Sequence, residues 1–162
     1  MTAYIPAAKS EDWRTPPEVV HLVRQALGGR INLDPCASRE GEPLADTNFI
    51  GPPDGVDGLS AGWSGTVYVN PPFGSLRHWV EKCQREHEEH LAEIVLLMPA
   101  RTDTNAWHRH VSTASAICLW KGRMTFVGAE ASCPFPVAIV YWGQHVIRFR
   151  ETFQSHGMIF RP

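Results

Sequence analysis

Thr66-Val67-Tyr68-Val69-Asn70-Pro71-Pro72-Phe73-Gly74 joins a short β-branched run to an abrupt stop. The run reads as a strand, and the two consecutive prolines remove two backbone donors and hold the chain extended just beyond it. The following segment places Leu76, Trp79, Val80, Cys83 and Leu91 on one face of a helix. Ile94-Val95-Leu96-Leu97-Met98 is then apolar throughout and is stopped by Pro99. Continuous apolar runs suit strands buried on both faces, as in a parallel sheet flanked by helices. Strand, helix and strand across residues 66–99 therefore predict an α/β sheet.

Upstream, Thr15-Pro16-Pro17-Glu18 reads as a helix start, with Thr15 as the cap, Pro16 at the first helical position and Glu18 completing a capping box. Val19, Val20, Val23, Ala26 and Leu27 recur at helical spacing until Gly28-Gly29 ends the element. Ile31-Asn32-Leu33 is a short strand leading into Asp34-Pro35. Residues 38–65 are rich in Gly, Pro and Asp with little periodicity, and long irregular connections of this kind are usually functional or mobile. Downstream, a short helix is expected from about Asn105 to Val111. Ala116 to Leu119, Met124 to Val127, Val137 to Trp142 and Val146 to Phe149 read as strands with short links, which predicts an antiparallel edge. Arg148-Phe149-Arg150 alternates as an edge strand does, with its charges outward.

The chain has 162 residues, a length that suits one domain spanning 1–162 and lets it bury a core without disulfides or a structural metal. Residues 1–11 are expected to be flexible. No apolar run approaches the ~18 residues of a membrane span. The first residues lack a basic start followed by an apolar stretch, so no secretory signal is expected and the chain reads as cytosolic. A net charge of -2 argues against a strongly basic nucleic-acid coat but leaves room for a local basic groove. Cys36, Cys83, Cys118 and Cys133 are far apart and read as small buried hydrophobes. His87-Glu88-Glu89-His90 is not the zinc pattern, because its histidines are three apart rather than four, and no metal site is expected.

The chemistry concentrates at Asn70-Pro71-Pro72-Phe73. The carbonyls of Asn70 and Pro71 have no ladder or helix to satisfy and can face a ligand, Asn70 adds an amide oxygen, and Phe73 adds a flat apolar face. Such a site accepts hydrogen bonds from an amino group and stacks on a ring. The exocyclic amine of a nucleobase is a poor nucleophile because its lone pair is delocalised. Two acceptors on its hydrogens favour a pyramidal nitrogen and stabilise the positive charge that grows as it attacks a methyl donor. Stacking on Phe73 adds about 1–3 kcal/mol, offsetting part of the cost of extruding a base from a duplex. The bland alternative is a strand-ending turn. Its place at the carboxyl end of a sheet strand favours a site.

Asn70-Pro71-Pro72-Phe73 resembles the catalytic tetrapeptide of S-adenosylmethionine-dependent amino-methyltransferases. Leu33-Asp34-Pro35-Cys36-Ala37-Ser38 is similar to their first cofactor motif, although the family often has Gly where this chain has Ala37 or Ser38. Trp13-Arg14-Thr15-Pro16-Pro17-Glu18-Val19-Val20 resembles the stretch that precedes that motif and caps the methionine end of the cofactor. Leu97 to Thr104 with Trp107-His108, Lys121 to Phe126 and Pro134-Phe135-Pro136 are similar to the small phage-type, Dam-like DNA N6-adenine methyltransferase family. Any one motif is weak, but several in this order, from about Asp12 to Trp142, are specific.

The resemblance implies a Rossmann-like methyltransferase sheet, mostly parallel with an antiparallel C-terminal edge. It also implies S-adenosylmethionine as cofactor, DNA as partner, and a phage or prophage origin with a role in protection from restriction. Asn70, Pro71, Pro72 and Phe73 would be catalytic. Trp13, Thr15, Pro16, Asp34, Pro35, Cys36, Ala37 and Asp57, with Asn70, would hold the cofactor. Asp57, in Asp57-Gly58-Leu59 before Trp63, would accept from the cofactor's adenine or, alternatively, serve only as a turn residue. Arg101, Thr102, Asp103, Lys121, Arg123 and Phe126 would meet the target, the basic pair Lys121 and Arg123 from a hairpin. Against these stand surface charge, helix capping by Asp103 or Thr104, and core packing of Phe126. Rival substrates are cytosine N4, an RNA base or a protein glutamine. A catalytically silent nucleic-acid-binding module is the rival from another class.

Overall fold

A computed structural model describes residues 13–162; the expectation for residues 1–11 falls outside them. The chain runs α1 (Pro17–Ala26), β1 (Leu33–Asp34), β2 (Thr47–Asn48), β3 (Thr66–Val69), α2 (Leu76–His90) and β4 (Glu93–Pro99). It continues through α3 (Asn105–Arg109), β5 (Ala116–Trp120), β6 (Val137–Trp142), α4 (Val146–Phe153) and β7 (Gly157–Phe160). Among the described residues one seven-stranded sheet has the order β2-β1-β3-β4-β6-β5-β7. The pairs β1–β2, β1–β3 and β3–β4 are parallel, whereas β4–β6, β5–β6 and β5–β7 are antiparallel. The expected α/β sheet with an antiparallel C-terminal edge is present, but it is parallel only in its N-terminal half and three of its six strand pairings among the described residues are antiparallel, so it is not mostly parallel. Because β6 is antiparallel to both neighbours, β5 runs parallel to β4. The carboxyl ends of β1, β3, β4 and β5 consequently share one rim.

The apolar run of β4 is buried on both faces, as its composition predicts. Ile94, Leu96 and Met98 pack with Leu76, Trp79, Val80 and Cys83 of α2, while Val95 and Leu97 pack with Val19, Val23 and Ala26 of α1 and Phe149 and Phe153 of α4. Alternating side chains on a pleated strand thus meet two different helical layers. Among the described residues no helix is long and apolar enough to cross a membrane.

Several expectations need correction. Val146 to Phe149 is the start of helix α4, not a strand. A strand would put Ile147 and Phe149 on one face; instead Phe149 is fully buried with Phe153, four residues on, and Ile147 is 73% exposed. Arg148 therefore does not line a sheet edge but donates to the Ala26 carbonyl at the end of α1 and to Glu93. The edge strand is β7, absent from the sequence reading, and Gly157 admits it because a Cβ there would lie 2.1 Å from the Leu119 carbonyl oxygen. Met124 to Val127 keeps its alternating burial but forms only a bridge between Val127 and Arg14. Leu91 is not on the buried face of α2; it caps the helix at φ 55 and is 77% exposed. The irregular 38–65 connection contributes β2, whose Thr47 and Asn48 pair with Leu33 and Asp34.

Candidate functional site

The rim at the carboxyl ends of β1 and β3 gathers most of the singled-out residues. β3 delivers Asn70, β1 delivers Asp34, and the segment before α1 lies across both. Pro16, not Thr15, is the N-cap of α1: its carbonyl accepts from the Val19 and Val20 amides, and the paired prolines start the helix one residue later than a capping box requires. Thr15 is thereby released from capping. Its hydroxyl lies 2.6 Å from that of Tyr68 and accepts from Asn70 Nδ2 at 3.1 Å. Asn70 Nδ2 also donates to the Trp13 carbonyl. Both amide hydrogens are engaged, and Asn70 Oδ1 is left buried with no hydrogen-bond partner among the described residues. Buried polar atoms are nearly always paired, so an orphan acceptor marks a place where a donor from outside the chain belongs.

Aromatic rings wall this spot. Trp13 and Phe73 lie 6.3 Å apart with their planes within 21°. Phe126 and Phe135 each stand edge-on to both, with centroid distances of 5.2 and 6.1 Å to Trp13 and 6.3 and 5.4 Å to Phe73. Phe126 thus belongs to the core and to this cluster at once. In the sequence Phe135 stands out only as part of a motif, and Tyr68 only as a strand residue. The signal that would have found Tyr68 is a phenol within a buried strand, which normally needs a partner.

Asp34, 5% exposed, accepts from the Cys36 main-chain amide at 3.1 Å. Burial pushes its carboxyl up to about 7, with that hydrogen bond opposing. Among the described residues this buried acid has no cation paired with it. Burial, then the neighbouring Asp34, also raise the Cys36 thiol, with the Asn70 main chain opposing. Pro35 is buried and Ala37 donates its amide to the Phe49 carbonyl.

Asp57 makes a turn of its own: Oδ1 accepts from the Leu59 amide and Oδ2 from the Ser60 hydroxyl. The turn nonetheless sits on the Asp34 strand end, because a Cβ on Gly58 would lie 1.9 Å from the Pro35 carbonyl oxygen. Trp63 braces it, donating from Nε1 to the Gly58 carbonyl at 2.9 Å and from its amide to Glu86 at 2.8 Å. Glu86 and Lys82 form a buried pair at 2.5 Å, and His90 Nδ1 donates to the same carboxylate at 2.9 Å. Burial pushes the Glu86 carboxyl up, but the hydrogen bonds from Lys82, Trp63 and His90 outweigh it and hold it below the ordinary range. This brace was missed because its members read as a charged helix face.

Arg101, Thr102 and Asp103 are exposed just beyond β4, and Thr104, not Asp103, caps α3. Lys121 and Arg123 are exposed beyond β5, at the start of a connection spanning residues 121–136 rather than in a tight hairpin. Both lie beyond the carboxyl end of β5, on the same rim as Asn70. His87 donates to the Ala92 carbonyl and Cys83 is buried in the core.

No curated protein matches the chain. The family model for DNA N-6-adenine-methyltransferase (Dam) matches residues 2–159, nearly the whole length and every element of the rim, and the chain belongs to that family.

Proposed function

We propose that this chain transfers a methyl group from S-adenosylmethionine to the N6 amino group of adenine in DNA, on a Rossmann-like methyltransferase sheet. The observation that carries the reading is the buried Oδ1 of Asn70 at the carboxyl end of β3, which has no partner among the described residues. The residues present fit the cofactor: among the described residues no cation pairs with the buried Asp34 carboxyl, and Gly58 lets the Asp57 turn close onto Pro35. Asp34, Pro35, Cys36 and Ala37 would hold the amino-acid end, with Thr15 and Pro16 above it, and Asp57 would meet the adenine end. When bound, the cofactor supplies an electrophilic methyl group on a sulfonium that leaves as a neutral thioether.

Asn70 Oδ1 and the Pro71 carbonyl accept the two hydrogens of the target amine. They draw its lone pair out of conjugation and onto the methyl carbon. One N–C bond would form as one S–C bond breaks, and the nitrogen would then lose a proton to solvent. Pro72 holds the strand end extended, while Phe73, with Trp13, Phe126 and Phe135 around it, stacks the extruded base. Catalysis comes from orientation and from acceptors placed where charge develops. Arg101, Thr102, Asp103, Lys121 and Arg123 would contact the target strand.

The test is methyl transfer from labelled S-adenosylmethionine to unmethylated DNA, followed by nucleoside mass spectrometry. N6-methyladenine, lost with Asn70→Ala, is the expected product. N4-methylcytosine would keep the mechanism and overturn the substrate. Cofactor binding without any modified DNA base would direct the search to RNA and protein amides, and absence of both would leave a silent binding module.

A further inference from the structure

The two ends of an asparagine amide are nearly equal in shape, and turning the group over costs little by itself, so its surroundings decide which end faces a ligand. Only Oδ1 can accept from an amine; Nδ2 in its place would oppose the amine hydrogens. In this chain the choice is made by two acceptors that meet Nδ2. The Trp13 carbonyl has no hydrogen to give. Thr15 Oγ1 is the other, at 3.1 Å. A threonine hydroxyl left to itself would be ambiguous, since it can rotate and donate to a reversed amide. Tyr68 engages that hydroxyl: its side chain is fully buried and the two oxygens lie 2.6 Å apart, so a Thr15 hydroxyl that donates to Tyr68 presents only lone pairs to the Asn70 amide.

We propose that Thr15, held by Tyr68, is a positioning residue that keeps the Asn70 amide turned with Oδ1 toward the reacting amine. This rests on the reading of Asn70 as the acceptor of the target amine, and it assigns Thr15 a duty distinct from covering the cofactor. Residues 15, 68 and 70 form a relay from the start of α1 through β3 to the strand end. Thr15 acts through Asn70 without touching the base.

The experiment compares Thr15→Val, which keeps the shape and removes the hydroxyl, with Thr15→Ser, Tyr68→Phe and Asn70→Ala. The readouts are kcat for N6-methyladenine formation, cofactor Kd by titration calorimetry, thermal melting, and hydrogen exchange of the Asn70 side-chain amide by NMR. Thr15→Val is expected to lower kcat roughly tenfold, the worth of one hydrogen bond, while cofactor Kd stays within about twofold. Thr15→Ser restores kcat, and the Asn70 amide hydrogens exchange faster in Thr15→Val than in the parent. Tyr68→Phe shifts kcat in the same direction and supplies the test should Thr15→Val not fold. Undiminished kcat in both hydroxyl-deleted variants, or a change confined to cofactor Kd, overturns the proposal. Full turnover by Asn70→Ala would instead overturn the active-site reading beneath it, and the positioning role with it.

Discussion

Asn70 Nδ2 donates a 3.1 Å hydrogen bond to the hydroxyl of Thr15, a residue 55 positions earlier in the chain. The bond joins the end of β3 to the segment that precedes α1, and it leaves the Asn70 oxygen buried without a partner among the described residues. An acceptor prepared before its donor arrives does not need to reorganise when charge develops on the reacting nitrogen.

Asn70→Ala removes that acceptor. Methyl transfer is expected to fall roughly 100- to 1000-fold, as when one preorganised polar group is deleted from other active sites. Cofactor affinity, measured by titration calorimetry, should be nearly unchanged, which separates loss of chemistry from loss of binding.

Asp34 links the site to pH. Its folded-state value, raised by burial to about 7, lies above the ordinary 3.8. The folded chain therefore holds a proton that the unfolded chain releases between these values. The stability this group contributes is complete below pH 3.8, declines as pH rises and is lost above about 7. A cofactor ammonium favours the carboxylate, so affinity should climb with pH until about 7 and then level off. Melting curves and calorimetry across that window check both trends, and Asp34→Asn should flatten them.

Glu86→Ala strands the Lys82 ammonium in a site where it is 5% exposed. Breaking a buried pair from one side costs about 3–5 kcal/mol, visible as a lowered denaturant midpoint. Because Glu86 also anchors the Trp63 amide, cofactor KM should rise in the same variant. Replacing the pair with Lys82→Met and Glu86→Leu should recover stability without recovering KM.

Arg101 and Arg123 are exposed on the rim beyond β4 and β5. If they pair with phosphates, the double replacement by alanine weakens DNA binding and lowers the slope of log affinity against log salt by about two. Cofactor binding should not respond. A salt slope equal to that of the parent would assign them to the surface alone.

The α/β order was legible where patterns are local. The apolar run at Ile94 to Met98 and the prolines after Asn70 constrain their own backbone, and the structure follows them. Reading failed where two local patterns compete. Val146 to Phe149 alternates like a strand, yet burying Phe149 and Phe153 together against the α1 layer requires a helical period. Leu91 continues the helical stripe of α2, but the chain turns there through the left-handed region and points it outward.

The tetrapeptide Asn70 to Phe73, the Asp34-Pro35 turn and their order along the chain are properties of the sequence alone, and with them the family. Which end of the Asn70 amide is free, where the Thr15 hydroxyl is spent and why Glu86 is buried became definite only in the folded chain. Each depends on polar groups that must find partners once water is excluded. Those partners come from distant segments, so only the packing of α1, β3 and α2 decides among them.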